Sequence, residues 1–169
     1  MTSALLIAGA AGIAALAGTG LVRRYALWRD LLDHPNDRGS HETPTPRGGG
    51  LAMALTLIAG LLAGTAAGLV SAELALTVAL GGGLVAAIGF LDDHGDVPAR
   101  WRLLVHGLAC GVAVMLLGAV RELELPGIVL AIGSFGVVLS VFVGVSLVNF
   151  YNFMDGIDGI AGSELVCVS

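Results

Sequence analysis

Apolar residues run through this chain in long unbroken stretches, not in the short alternations of a half-buried soluble fold. Five stretches, roughly 3–22, 49–70, 73–91, 103–120 and 127–148, come up to the length of about 20 residues that a helix needs to cross a bilayer core. All are rich in Gly and Ala, which let helix backbones approach closely in lipid. The polar links between them are 23–48, a tight turn around Ser71-Ala72, 92–102 and 121–126. The pattern predicts an all-α polytopic membrane protein: one integral membrane domain over 1–169, with about five transmembrane helices and the start of a sixth element. Ionisable residues are nearly absent inside the apolar runs; His106, near one end of the fourth, is the exception.

Composition agrees. The chain is 56% hydrophobic and 12% charged, with a mean hydropathy of +0.91, whereas soluble domains carry about 25% charged residues. A net charge of -5 therefore says little about partners. Lysine is absent, and the arginines are uneven. Arg23, Arg24, Arg29, Arg38 and Arg47 lie in the first link, Arg100 and Arg102 in the third, and Arg121 in the fourth. Alternate links share a side, so the bias puts links one and three in the cytoplasm and the N-terminus outside. Nucleic acid is not an expected partner, because no basic stripe exists. Cys110 and Cys167 form no CxxC and no metal spacing, and read as unpaired thiols. The first residues lack the positive region of a signal peptide and read as the start of a retained helix.

Three polar blocks carry candidate chemistry, and the topology above puts all three on one side. The first is Asp33-His-Pro-Asn-Asp-Arg-Gly-Ser-His-Glu-Thr-Pro-Thr-Pro-Arg-Gly-Gly-Gly50. Arg38, His41 and Arg47 supply donors, and the glycines after Arg47 open a helix whose free N–H groups suit an anion. An ordinary positive-inside loop with proline breakers is the plain alternative. The second block is Asp92-Asp93-His-Gly-Asp-Val-Pro98. Adjacent carboxylates repel unless a cation shares them, and Mg²⁺ is a hard ion that takes oxygen ligands. A solvated turn explains the pair about equally well when it is taken alone. The third is Asn149-Phe-Tyr-Asn-Phe-Met-Asp-Gly-Ile-Asp-Gly-Ile-Ala-Gly162. On a continuous helix, steps of three drift slowly round one broad face, so Asn149, Asn152, Asp155 and Asp158 line a polar strip. Packing through small residues explains the glycines but not the strip.

Together these blocks resemble the polyprenyl-phosphate N-acetylaminosugar-1-phosphate transferases, over about residues 20–165. The wording of the first block looks most like the branch that primes O-antigen with N-acetylglucosamine or an N-acetylated 6-deoxyhexosamine; the peptidoglycan branch ranks lower. The resemblance implies that a polyprenyl (undecaprenyl) phosphate attacks the β-phosphate of a UDP-N-acetylaminosugar, releasing UMP. It also implies Mg²⁺, with Mn²⁺ as an alternative ion. Asp92 and Asp93 would match the paired aspartates of the active site, and Asp155 and Asp158 the aspartates for nucleotide and metal. Asp155 and Asp93 are the metal candidates. Arg38, His41, Arg47, Asn149, Asn152 and Asp158 are the substrate-binding candidates. The expected setting is the bacterial inner membrane, with the site facing the cytoplasm and a homodimer as the candidate assembly. Family members have about ten or eleven helices, so the chain is expected to be an N-terminal half. Two rival readings remain at this point. A non-catalytic remnant or lipid-phosphate-binding module is one. A secondary transporter is the other, disfavoured because charge avoids the helix interiors.

Overall fold

The structure, a computed structural model, describes residues 2–33 and 43–154. Among them five helices are long and apolar enough to cross a membrane, and little else is regular. The all-α expectation holds. α1 is Thr2–Arg29 and α2 is Gly49–Ala66. The third span, Ala72–His94, is built from α3 (Ala72–Thr77), a π-helical turn (Val78–Gly82) and α4 (Gly83–His94). α5 is Ala99–Leu117 and α6 is Phe135–Met154.

At 1.5 Å per residue, the 28 residues of α1 make about 42 Å, more than the roughly 30 Å of a hydrocarbon core. Arg23, Arg24 and Arg29 therefore sit on the last turns of a protruding helix and not in an irregular loop. After it, β1 (Leu32–Asp33) pairs antiparallel with β2 (Thr45–Pro46), Leu32 opposite Pro46 and Asp33 opposite Thr45. At the far end of α2, Ser71 caps α3, its hydroxyl oxygen accepting the Leu74 N–H at 3.3 Å.

The fifth apolar run is corrected. The expected helix 127–148 begins instead at Phe135 and extends to Met154. The residues before it form a hairpin, β3 (Glu122–Leu125) with β4 (Ile128–Ala131), turning at Pro126-Gly127 with Gly127 at φ 82°. Ile128-Val129-Leu130-Ala131 is as apolar as a helix end, so hydropathy counts it in. Its β-branched start after Pro-Gly, opposite the alternating Glu122-Leu-Glu-Leu125, makes it a strand.

The interior is made mostly of small side chains: among the described residues, Ala26, Ala52, Ala75, Ile88 and Ala109 are the buried hydrophobics. Large aliphatics point outward, as lipid-facing surfaces do, so burial against water does not hold these helices together. Close approach does. A Cβ on Gly18 would meet Ala52 at 3.2 Å, one on Gly60 would meet Ala11 at 3.6 Å, and one on Gly81 would meet the Ala109 carbonyl at 3.2 Å.

Successive spans alternate in direction. The end of α1, the start of α2, the end of α4, the start of α5 and the end of α6 consequently share one end of the bundle. The Ser71 turn and the β3–β4 hairpin occupy the other.

Candidate functional site

The polar end is assembled around Arg47. The β1–β2 ladder and the bond from Arg47 N–H to the Leu31 carbonyl (3.0 Å) bring the end of α1 to the start of α2. Arg47 then reaches Asp33, with Nη2 at 2.5 Å from Oδ1. This hydrogen bond holds the guanidinium above its ordinary pKa; burial opposes it, and the charges of Asp33, Asp93 and Asp96 add to it. Arg47 is thus a permanent cation facing three carboxylates. Gly48 follows in the left-handed region at φ 91° and forms the N-cap of α2. A Cβ there would lie 3.3 Å from Val22 Cγ1 and 3.9 Å from Asp93 Oδ2, so the backbone runs directly past the carboxylate. Leu51 N–H is taken by the Gly48 carbonyl (3.1 Å), while Gly49 and Gly50, at the start of α2, line the same space and bring their N–H groups to it.

Asp92 and Asp93 are neighbours with different surroundings, because consecutive helix positions point about 100° apart. Asp92 is committed. Its Oδ2 accepts from Arg102 Nη1 at 2.7 Å, and its Oδ1 accepts the Val97 N–H at 3.0 Å. It ties the end of α4 to the start of α5. Asp93 is half-buried, and among the described residues it accepts no hydrogen bond. Arg47 attracts it, and Asp92 and Asp33 repel it. Next to it, His94 Nδ1 donates to the Phe90 carbonyl at 2.8 Å. In the neutral ring Nε2 then accepts from Tyr25 Oη at 3.0 Å, and the His94 and Phe90 rings lie 4.2 Å apart. This pins α1 to the end of α4, one residue from Asp93.

These side chains rim a cavity of about 1140 Å³. Asp33, Arg47, Asp92, Asp93 and Arg102 stand at its polar edge, and Asn152 closes it from α6. Its wall runs back along the third span to Thr77, about 24 Å for sixteen residues at helical rise. The π-helical turn, Gly89, Ala109 and Ala113 keep that wall low and apolar.

Of the predicted site residues, Arg47, Asp92, Asp93 and Asn152 come together at one cavity. Asn149 does not line it: its Nδ2 donates to its own helix at Val145 O (2.8 Å), and its amide faces His106 on α5. His106 is buried at 6% exposure, and its Nδ1 has no partner among the described residues. Arg38, His41, Asp155 and Asp158 lie outside the described residues. The site also uses Asp33, Tyr25, His94 and Arg102, which the sequence pattern does not single out. Asp33 opens the quoted first block and Arg102 lies ten residues after Asp92, but neither spacing names its partner.

Among the described residues no three His, Cys, Asp or Glu side chains group to hold a metal by themselves. The donors present fit a hard cation that takes one or two carboxylates and leaves its other positions to water and phosphate oxygens. Asp93, an uncommitted carboxylate, and the Asn152 amide face the cavity in that way.

This pattern of chemistry meets a family match. The model described as "Glycosyl transferase family 4" matches residues 75–169. The chain belongs to glycosyl transferase family 4. Its relatives include the decaprenyl-phosphate N-acetylglucosaminephosphotransferase of Mycolicibacterium smegmatis, 32% identical over 92% of this chain and 41% of that one. The undecaprenyl-phosphate alpha-N-acetylglucosaminyl 1-phosphate transferase of Escherichia coli is 32% identical over 87% of this chain and 40% of that one. A probable undecaprenyl-phosphate N-acetylglucosaminyl 1-phosphate transferase of Bacillus subtilis is 28% identical, over 85% and 40%. The chain thus spans about two fifths of the length of these glycosyl transferase family 4 relatives. No solved structure matches it.

Proposed function

We propose that the protein transfers an N-acetylaminosugar 1-phosphate from a UDP-sugar to polyprenyl phosphate in a bacterial membrane, with the reacting end in the cytoplasm. An oxygen of the lipid phosphate bonds to the β-phosphorus. The bond from that phosphorus to the bridging oxygen breaks, and UMP leaves. N-Acetylglucosamine is the first candidate sugar, since the named relatives act on it. The initiating step of an O-antigen-type polysaccharide is the corresponding setting.

The observation that carries this reading is the set of Asp93, Arg47, the N-terminus of α2 and Asn152 around one cavity. Phosphoryl transfer asks a protein mainly for placement and charge stabilisation. Arg47 offers a planar fork with donors beyond the one given to Asp33. The N–H groups after Gly48 offer a second anion site. Asp93 would act on the lipid phosphate, as base or through the metal. Asp92 holds Arg102 and the α4–α5 turn in position, a supporting role. Mg²⁺, or Mn²⁺ in its place, would be held by Asp93 and, from the stretch beyond Met154, by Asp155, with Asp158 on the substrate side. Bound there, it would neutralise charge on the diphosphate. Arg38, His41 and Asn149 keep the substrate-side roles that the family resemblance gives them.

A second reading rests on the same donors, Arg47 and the N-terminus of α2: a module that binds lipid phosphate without turnover. Release of UMP from UDP-N-acetylglucosamine, with undecaprenyl phosphate and Mg²⁺ supplied, decides between them. It is measured on the chain and on a chimera in which the chain replaces the matching segment of the Mycolicibacterium smegmatis relative. Turnover by the chimera that Asp93→Asn abolishes supports the transferase. A chimera that inserts and folds but turns over equally well with Asp93→Asn overturns the assignment.

A further inference from the structure

The β3–β4 hairpin lies at the end of the bundle away from the cavity, and the proposed chemistry does not use it. Its register pairs Leu123 with Leu130 and Leu125 with Ile128, and pairs Glu122 with Ala131 and Glu124 with Val129. Residues directly opposite each other in an antiparallel pair share a face. One face of the hairpin is therefore four aliphatic side chains, and the other carries both glutamates. The aliphatic face is open: Leu123, Leu125, Ile128 and Leu130 are 37%, 52%, 58% and 46% exposed.

Three observations on the page say what covers it. The first is reach. Residues 118–121 and 132–134 are all that join the hairpin to the ends of α5 and α6, so its root stays within about 14 Å and about 10 Å of two membrane-spanning helices. Its Arg121 carbonyl also accepts from Ile132 N–H (2.9 Å), and Val120 N–H donates to Ser140 Oγ on α6 (3.0 Å). The second is stability. A lone two-stranded hairpin in water is marginal unless something supports one face. The third is charge. Glu122 and Glu124 both lie on the opposite face and are exposed.

We propose that this hairpin is an interfacial anchor. It lies flat on the leaflet opposite the cavity, with Leu123, Leu125, Ile128 and Leu130 in the boundary between phospholipid headgroups and acyl chains, and with the glutamates toward water. Its depth follows from the backbone. Both outer edges carry N–H and C=O groups that no strand among the described residues pairs, and these are not tolerated in hydrocarbon but are satisfied among headgroups. The anchor fixes how far α5 and α6 are drawn through the bilayer, a function separate from catalysis and independent of it.

Spin labels test this in the full chain, with Cys110 and Cys167 replaced by Ser, in vesicles of phosphatidylcholine and phosphatidylglycerol. Labels are placed by Leu125→Cys, Ile128→Cys, Glu124→Cys or Val129→Cys, one at a time. The expected result is a several-fold preference for collision with oxygen over a water-soluble nickel chelate at positions 125 and 128. At positions 124 and 129 the preference reverses. Equal exposure to the nickel chelate on both faces overturns the anchor, because the hairpin then stands in water. Shielding of positions 125 and 128 from both quenchers also overturns it, because protein, such as a second copy of this chain, then covers the face.

Discussion

At one end of the bundle the connections are tied by ion pairs, prolines and a left-handed glycine around a cavity; at the other they end in a capped turn and a hairpin with bare aliphatic side chains. Both ends join the same kinds of helices. The difference lies in what their polar groups face. At the cavity end carboxylates and guanidinium groups converge from separate links, which is costly near a membrane unless each is partnered or reserved for a ligand. At the hairpin end Arg121, Glu122 and Glu124 are all exposed and converge on nothing that could react. A site is recognised here by convergence, not by the presence of charge.

The sharpest way to break that contrast is Asp93→Asn in the chimera. It keeps the shape and removes a half-buried cavity carboxylate that accepts no hydrogen bond among the described residues, so UMP release is expected to fall by about 100-fold or more. Helix content by circular dichroism should be unchanged. Arg47→Ala follows, with a loss of about 10- to 100-fold, the equivalent of roughly 1.5–3 kcal/mol for hydrogen bonds to a charged group. Its signature is a higher KM for the UDP-sugar. Arg47→Lys should recover only part, because a point charge replaces the fork.

The aspartate pair offers a finer test. Asp92 works through Arg102, so Asp92→Asn and Arg102→Gln should not add. A double-mutant cycle on thermal stability is expected to give a coupling of about 1 kcal/mol or less, discounted because both side chains are about one third exposed (29% and 35%). Asp93 combined with Arg102→Gln should show additive behaviour. Full additivity for the Asp92 pair would dissolve the division of labour between the two aspartates.

Much of this was legible in the sequence. Five spans follow from hydropathy because lipid leaves a helix few alternatives to a long apolar run. Alternation then brings Arg47, Asp92 and Asn152 to one end. The hairpin was hidden for the same reason: a short apolar strand and a helix end have the same hydropathy, and only the Pro126-Gly127 turn separates them. The Asp92-Asp93 block was legible as a block, but its split into a structural and a free carboxylate depends on where Arg102 and the Val97 N–H fall in space. Asn149 and Asn152 share a period, yet one step of helix rotation turns the first toward His106 and leaves the second at the cavity. No pattern of letters reveals which neighbour each meets.

Two glycines, one at each end, complete the comparison. Gly48→Ala puts a side chain at φ 91°, beside Val22 and Asp93, and is expected to cost about 1–2 kcal/mol of local strain. That strain falls on the turn that presents Arg47, so activity should fall several-fold with it. Gly136→Ala, near the start of α6, should behave in the opposite way. A Cβ there collides with the Val120 carbonyl oxygen, so the link between α5 and the hairpin must move and the bond from Val120 N–H to Ser140 is lost. The backbone amides of 120–131 should exchange with deuterium markedly faster. The change lies at the opposite end of the bundle from Asp93, and α6 is otherwise intact through Asn152. UMP release by the chimera should stay within about twofold of the parent, inside the roughly 0.5 kcal/mol over which distant sites are additive. A larger drop would show that the hairpin end and the cavity end are mechanically joined through α6, and that the contrast between them is one of composition only.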